Sequence, residues 1–195
     1  MRVLIAMIAA FLITATAAHV VVASHWSGKG WYDRRYNYPA VPNGLNAINQ
    51  TFGNRCIADS NFNRFSWRAS DDGVLYAVNF HKKLGGAPTP GWYNGNGGGS
   101  TNLYYDVRGT FANRHIDHKV LRGIWGYNCR VISGTTKWST HAWGIAIDTN
   151  SAHEHIGHSH SHTVDAQMVG IYEDHRWTSG LPFQDAMHFQ YATGY

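Results

Sequence analysis

Two short motifs near the end of the chain combine residue types that bind metal ions. In the first, Ser139-Thr140-His141-Ala142-Trp143-Gly144-Ile145-Ala146-Ile147-Asp148, an imidazole and a carboxylate flank a short apolar run; the second is Asp185-Ala186-Met187-His188. Imidazole and carboxylate groups are both good zinc ligands, and three protein ligands leave the fourth position of the ion open to water, as in catalytic sites. The spacing therefore predicts one catalytic Zn²⁺ held by His141, Asp148 and His188.

Two further residues suit the chemistry of amide hydrolysis at such an ion. A zinc ion lowers the pKa of its bound water to about 7, and a nearby carboxylate can take the proton and pass it to the leaving amine. Asp185 is the predicted base. Arg130 is expected to hold a substrate carboxylate or to stabilise the oxyanion, because guanidinium keeps its charge and offers several donors.

The elements that must position these residues are short. Alternation along Gly144 to Asp148 predicts a strand with Asp148 and Ala146 on one face, and the small residues Gly144 and Ala146 leave room beside the ligands. Further strands are predicted at 103–107, 123–132 and 187–191, helices at 44–52 and 164–172, and a glycine-rich loop at 85–99. The stretch 73–80 fits either a strand or a helix. No repeat or second domain is indicated.

The pattern Ser-x-His-x6-Asp followed by Asp-x-x-His resembles the zinc D-alanyl-D-alanine carboxypeptidases and L-alanyl-D-glutamate peptidases, including vancomycin-resistance carboxypeptidases and phage endolysins. The likeness runs from residues 127–130 to the C terminus and includes Trp177. It implies a single α+β domain of the hedgehog/DD-peptidase type, a small antiparallel sheet flanked by helices. It also implies His141, Asp148 and His188 as zinc ligands, Asp185 as the base and Arg130 as a substrate contact.

This resemblance implies a metallopeptidase acting on peptidoglycan stem peptides. Two departures concern the pocket: Gln190 stands where many members have Glu, and residues 175–180 lack the usual double glycine. Both leave the ligands in place, but the bond that is cut stays open between a terminal D-alanine and an internal L-Ala-D-Glu bond. Ser139 and Trp177 are further candidates for contact with substrate, although Ser139 could equally shape its turn.

The start of the chain predicts export. Arg2 precedes an apolar stretch from Val3 to Val22 with small-residue cleavage candidates at 15–17 and 21–23, as in a signal peptide. An uncleaved anchor is the alternative, since about 20 apolar residues can span a bilayer. Either arrangement places the protein outside the cytoplasm, secreted or anchored. The expected division is 1–23 signal or anchor, 24–100 arm and capping region, and 101–195 catalytic core.

The two cysteines, Cys56 and Cys129, are predicted to form a disulfide in an exported protein. Closing so long a loop is worth about 4 kcal/mol in the chain-entropy model. Two buried, inert cysteines are the alternative.

The distribution of charge disfavours one class of partner. Lys plus Arg number 16 against 12 Asp plus Glu, a formal net charge of +4, with no basic run longer than a pair. This distribution argues against a dedicated nucleic-acid surface. We expect a monomer that touches a membrane only through residues 3–22 if they stay uncleaved.

A second group of metal-binding residue types lies between the two motifs. Its members are His153, Glu154, His155, His158, His160 and His162. They suggest either a loop that captures zinc or copper or a solvated polar loop. If this segment captures metal, the protein could be an extracellular metal scavenger. A separate alternative is a non-catalytic metal- or cell-wall-binding module, in which the site of His141, Asp148 and His188 is kept but its chemistry is lost. The abundant aromatic residues could line a groove or form the core, and Trp143 could flank the metal or pack beneath it.

Overall fold

The computed structural model describes residues 38–56, 61–84, 107, 109–112, 114–157 and 161–195. The predicted export segment, the loop at 85–99 and most of the predicted strand at 103–107 lie outside these residues. Within the described ranges, no helix has the length and apolar character needed to cross a membrane.

The fold is a mixed α+β arrangement of short elements, as the sequence predicts. The helices are α1 (Gly44–Phe52), α2 (residues 109–112) and α3 (Ala166–Asp174); the strands are β1 (Phe62–Arg68), β2 (Leu75–His81), β3 (Ala146–Asp148), β4 (Thr178–Ser179) and β5 (His188–Gln190). Turns of 3-10 helix lie at Lys82–Leu84, Asp117–Lys119, Thr140–Trp143 and Leu181–Phe183.

The structure contains two small antiparallel sheets, and segment 125–128 connects them. Strands β1 and β2 form a hairpin, and the second sheet has the order β3-β5-β4. Trp125 forms a bridge with Asp148 at the edge of β3, and the Tyr127 amide donates to the Asn79 carbonyl of β2 at 2.8 Å. Segment 125–128 therefore connects the hairpin to the sheet that holds the predicted ligands.

The predicted helix at 44–52 is confirmed, and the one at 164–172 is confirmed with a shifted start. Helix α3 begins at Ala166 because the Asp165 side chain accepts hydrogen bonds from the amides of Gln167 and Met168. The undecided stretch 73–80 belongs to β2, and the strand predicted at 187–191 appears as β5.

Three strand predictions need correction. Only Ala146–Asp148 of the segment 144–148 is a strand, since Gly144 has a φ of 66° and ends the preceding 3-10 turn. The segment 123–132 forms single bridges at Trp125 and Val131 in place of a continuous strand. Val107, the described end of the predicted strand 103–107, is helical.

One hydrophobic core joins residues from before and after position 100. Its members include Ile48, Phe65, Phe80, Phe111, Trp143, Ile145, Tyr172 and Phe189. The rings of Tyr172 and Phe189 stack with centroids 3.7 Å apart and an interplanar angle of 13°. Many of the aromatic residues therefore serve the core, and the hairpin and α1 are packed parts of the same body that holds β3 and β5.

Cys56 and Cys129 form a disulfide, as the sequence predicts. The Cys56 amide also donates to the Ala142 carbonyl at 2.7 Å. Trp143 is fully buried, and its indole nitrogen lies 3.2 Å from Asn49 Oδ1 and 3.0 Å from the Gly53 carbonyl. The Trp143 side chain thus packs beneath its own turn, Thr140–Trp143. Its hydrogen bonds and the segment that carries Cys56 hold this turn against the end of α1.

Candidate metal centre

Three buried side chains converge on one point. His141 Nε2 lies 3.0 Å from Asp148 Oδ1 and 3.1 Å from His188 Nδ1. His188 Nδ1 lies 3.1 Å from the same Asp148 oxygen. Each residue is less than 9% exposed, and the three donor atoms form a group that could hold a metal ion.

The local structure explains this convergence. Asp148 and His188 are partners across β3 and β5. The backbone hydrogen bonds fall on either side of them, from Thr149 to the Met187 carbonyl and from Tyr191 to the Ile145 carbonyl. The pair is therefore a non-hydrogen-bonded one, in which facing side chains approach most closely.

His141 reaches the same point from the 3-10 turn Thr140–Trp143. The Ser139 hydroxyl accepts from the His141 amide at 3.3 Å and caps this turn. His141 Nδ1 lies 2.5 Å from the Gly126 carbonyl, so Nδ1 carries the proton and Nε2 is left with its lone pair. A Cβ at position 126 would lie 2.3 Å from Val78 Cγ1, which is why glycine is needed there.

His188 is oriented by a separate set of contacts. Its Nε2 lies 3.1 Å from Gln190 Oε1 and 3.2 Å from Thr140 Oγ1. The Thr140 hydroxyl donates to the same Gln190 oxygen at 3.0 Å, and the Gln190 amide donates to the Ala192 carbonyl at 3.3 Å. The Nε2 proton of His188 therefore points at Gln190, and the Nδ1 lone pair is directed at the point that His141 Nε2 and Asp148 Oδ1 share.

The electrostatics couple the three groups. Burial alone would raise the pKa of Asp148, but His141 and His188 outweigh it through charge and hydrogen bonds and hold that pKa far below its usual value. For His188, burial lowers the pKa, whereas Asp148 and the charge of Asp185 raise it, and the net pKa is raised. A cation is thus favoured between these side chains, supplied either by a proton or by a metal ion.

The donor set fits zinc. Ligand atoms about 2.0–2.1 Å from a tetrahedral ion are about 3.3 Å from one another, close to the 3.0–3.1 Å that separates the three atoms here. Two imidazoles and one carboxylate are a known catalytic zinc combination. Each imidazole also presents its lone pair to the shared point, with its other nitrogen hydrogen-bonded, which is how metal-ligating histidines are usually held.

Asp185 lies beside this group with an oxygen that lacks a partner. Its Oδ1 is buried and has no hydrogen bond to any described residue. Burial raises the pKa of Asp185 and the charge of Asp148 adds to it, against the opposing charges of His188, His141 and Arg130. A carboxylate with a raised pKa and a free oxygen is suited to taking up a proton.

The backbone around Asp185 is tightly closed. The Gly180 amide donates to the His188 carbonyl at 2.7 Å, the Asp185 amide to the Gly180 carbonyl at 3.0 Å and the His188 amide to the Asp185 carbonyl at 3.1 Å. A Cβ at position 180 would lie 2.2 Å from the Asp185 carbonyl oxygen. Glycine at this position therefore allows the turn that sets Asp185 next to His188.

The other predicted site residues occupy different positions. Arg130 is only partly buried, its carbonyl accepts from the Ser139 amide at 3.1 Å, and its charge acts on Asp185. Ser139 is buried and bonded to the His141 amide. Trp177 is 2% exposed and packs edge-on against Tyr172 and Tyr191. Their contacts with substrate stay predictions.

Sequence reasoning missed several residues that shape the centre. Gly126 and Thr140 hold the two imidazoles, and Gln190 was noted only as a departure from a resembling family. Period-two alternation in β5 places Gln190 on the same face as His188, and this signal could have identified it. No local signal in the sequence connects Gly126 with His141.

The described residues of the histidine-rich segment are separate from this centre. Glu154 is 3% exposed and accepts hydrogen bonds from the Ser161 hydroxyl at 2.8 Å and from the amides of His162 and Thr163. His153 Nε2 lies 3.0 Å from Asp71 Oδ2. His158 and His160 lie outside the described residues, so metal capture by this segment stays a prediction.

A mixed α+β fold around a buried His-Asp-His group defines a candidate metallopeptidase domain. Residues 133–191 match the D-alanyl-D-alanine carboxypeptidase family, so this part of the chain carries a domain of that family, with the hedgehog/DD-peptidase fold it implies. The matched part contains His141, Asp148, His188 and Asp185 but not Arg130. No curated protein and no solved structure matches the chain.

Proposed function

We propose that the protein is an exported zinc-dependent peptidase that hydrolyses amide bonds in peptidoglycan stem peptides. The bond would be a terminal D-Ala-D-Ala or an internal L-Ala-D-Glu linkage. One observation carries the proposal: His141 Nε2, Asp148 Oδ1 and His188 Nδ1 lie within 3.1 Å of one another. The family match at residues 133–191 supports peptides as the substrate class.

The chemistry would divide between the ion and the protein. When bound, zinc supplies the Lewis acidity that makes a coordinated water a nucleophile near pH 7. His141, Asp148 and His188 would hold the ion. Asp185 would accept the proton from the attacking water and deliver it to the leaving amine. Its partnerless oxygen and raised pKa support this role.

Arg130 would contribute to substrate binding. Its backbone pairs with Ser139, one residue before the turn that carries His141, and its guanidinium is close enough to act on Asp185. A permanent charge with several donors at this edge suits a substrate carboxylate or a developing oxyanion. Ser139 and Trp177 stay candidates for contact with substrate, and in the structure Ser139 caps the turn that carries His141 while Trp177 packs in the core.

The disulfide supports a location outside the cytoplasm. Bonds such as Cys56–Cys129 persist in oxidising compartments, and the apolar segment 3–22 would provide export or anchoring. The chain would then divide into an export segment at 1–23, an arm and capping region at 24–100 and a catalytic core at 101–195. It would act as a monomer and bind no nucleic acid.

Zinc stoichiometry and digestion of purified peptidoglycan, with mass analysis of the fragments, test the proposal together. We expect one zinc per chain, fragments that identify the bond cut, and loss of both on chelation or in His141→Ala. His118→Ala is the matched control, because that imidazole is exposed and outside the centre. Hydrolysis that survives chelation and His141→Ala would overturn the proposal, and zinc binding without hydrolysis would indicate a binding module.

A further inference from the structure

Two large aromatic side chains near the metal centre are exposed, unlike the many aromatic residues that form the core. Trp125 is 57% exposed and Phe183 is 48% exposed. Neither belongs to the family-derived set of site residues. Single exposed apolar residues are normal on a protein surface, but exposed aromatic rings beside a buried polar site are typical of a binding surface.

Trp125 lies beside Asp148 across the edge of the sheet. The two residues exchange both backbone hydrogen bonds, from the Trp125 amide at 3.0 Å and from the Asp148 amide at 2.8 Å. Paired residues on neighbouring strands direct their side chains to the same face. The Trp125 indole therefore lies on the face that carries the ligands, in one row with Asp148 and His188.

The Trp125 ring is supported from behind. The ring of Tyr76 contacts it edge-on, with centroids 5.7 Å apart and an interplanar angle of 83°. The Tyr76 hydroxyl lies 3.4 Å from Asp72 Oδ2, which ties the supporting ring to the β1–β2 turn. The indole is thus held in place while much of its surface stays open to solvent.

Phe183 stands on the other flank of the ligands. It ends the 3-10 turn Leu181–Phe183, two residues before Asp185, and its ring centroid lies 6.0 Å from that of His188. The Phe183 amide donates to the Gly180 carbonyl at 3.0 Å, within the same closed turn that positions Asp185. The row of ligands therefore has one exposed aromatic ring at each side.

We propose that Trp125 and Phe183 are the two walls of the substrate cleft and bind small apolar side chains, such as alanine methyl groups, next to the scissile bond. This inference rests on the proposed function. An extended peptide advances about 3.3–3.6 Å per residue, and Phe183 is 6.0 Å from a ligand ring. A peptide with its scissile carbonyl at the ligands would therefore reach the walls within about two residues, so the rings would contact peptide and not glycan.

Steady-state kinetics of Trp125→Ala and Phe183→Ala, on whichever stem peptide the wild type cleaves, test the proposal. Ring contacts of this kind contribute enough for KM to rise about three- to tenfold in each variant, with kcat changed less than about twofold. A peptide with glycine in place of the alanine at the scissile bond should show a much smaller difference from wild type in at least one variant. Trp125→Phe should restore most of the affinity.

A binding measurement separates recognition from turnover. Calorimetric titration of the alanine peptide into zinc-loaded Asp185→Ala, with and without Trp125→Ala, should show the same loss of affinity as KM does. Leu45→Ala is the matched control, because Leu45 is 42% exposed on α1, which packs beneath the turn 140–143. Zinc content and melting temperature verify that each variant keeps the fold and the ion.

The outcomes are distinct. A wild type that cleaves no stem peptide overturns the proposed function and this inference with it. A wild type that cleaves, with both alanine variants unchanged in KM and in calorimetric affinity, overturns the inference alone. An equal loss of affinity for the alanine and glycine peptides in both variants also contradicts the inference, because the rings would then contact a part of the peptide other than the alanine methyl groups.

Discussion

His188 contacts Gln190 Oε1 through Nε2 at 3.1 Å and Asp148 Oδ1 through Nδ1 at 3.1 Å. The two contacts lie on different nitrogens of one ring, so the Gln190 amide determines which nitrogen would offer a lone pair to a metal ion. The neutral amide of Gln190 accepts the His188 Nε2 proton without adding charge, whereas a carboxylate at this position would also add a negative charge. Gln190 is therefore expected to position His188 in the candidate metal centre.

Replacing Gln190 with leucine is expected to lower zinc affinity about 10- to 100-fold, the usual effect of losing a hydrogen bond behind a ligand. Gln190→Glu is expected to retain or increase affinity, because a carboxylate accepts the same proton and raises the basicity of the ligand. Competition with a chelating dye measures both. Gln167→Leu, on the exposed side of α3, is the control, and equal zinc affinity in Gln190→Leu would contradict the role.

Asp185 should determine the acid limb of the pH profile of kcat/KM. The proposed base must be ionised, so activity falls as the pH drops through its pKa. Because burial raises that pKa, the limb should lie above the pH of about 4 expected of an ordinary aspartate. Asp185→Asn should lower kcat about 10²- to 10⁴-fold and leave zinc content unchanged. An unchanged acid limb in Asp185→Asn would assign the limb to another group.

Alanine substitutions at Gly180 and Gly170 test whether the closed turn around Asp185 requires glycine for steric reasons. Gly180→Ala would place a methyl group 2.2 Å from the Asp185 carbonyl, and we expect a loss of about 1–3 kcal/mol in unfolding free energy together with lower kcat. Gly170→Ala, in α3 with nothing within 4 Å of the added Cβ, should gain about 0.5–1 kcal/mol. Urea unfolding compares the two, and similar stabilities would refute the steric argument.

His81 should make the fold sensitive to acid. It is 3% exposed, lies 3.1 Å from the Phe52 carbonyl, and burial lowers its pKa from 6.5 to about 4. A histidine with a depressed pKa contributes stability above pH 6.5, and this contribution is lost as the pH falls towards 4. The loss is at most about 3 kcal/mol.

Unfolding free energies measured from pH 7 to pH 4 in the wild type and in His81→Gln test this expectation. The variant should show a flatter dependence, because glutamine does not titrate and its amide can still donate to the Phe52 carbonyl. His118→Gln, at an exposed position, should follow the wild type. Parallel curves for His81→Gln and wild type would exclude His81 as the cause.

The disulfide should matter for stability and for the alignment of the turn 140–143. Cys56 and Cys129 are 73 residues apart, and the chain-entropy model gives about 4 kcal/mol for a loop of this length. Cys56→Ser/Cys129→Ser should lose roughly that amount in urea unfolding. We expect only a small loss of zinc affinity in this variant, because the Trp143 indole still donates to Asn49 and Gly53 and keeps the turn 140–143 attached to α1. A stability equal to that of the wild type would contradict the prediction.

The convergence of His141, Asp148 and His188 was predictable because their motif is local and chemically specific. His141 and Asp148 are seven residues apart, and the 3-10 turn Thr140–Trp143 followed by β3 brings them together. The sequence placed Asp148 and His188 in strands, and the structure adds that these two residues face each other across β3 and β5. Asp185 was predictable for the same reason, since it precedes His188 by a single turn.

The residues behind the ligands were not predictable, because they depend on contacts between distant segments. Gly126 contacts His141 because segment 125–128 lies between the β1–β2 hairpin and β3. The strand predicted at 123–132 was wrong as a continuous element, since its residues pair in turn with Asp148, Asn79 and His141. Trp125 belongs to no recognisable motif, and its proposed role depends on its position opposite Asp148.

The facing positions of Asp148 and His188 have a consequence for folding. Side chains alternate between the two faces of a strand, so a slip of one residue between β3 and β5 would turn one strand's ligand away from the other's. A chain trapped in that arrangement would keep its secondary structure and yet take up no zinc. Zinc uptake during refolding would therefore distinguish molecules with correctly aligned strands from misfolded ones before any substrate is added.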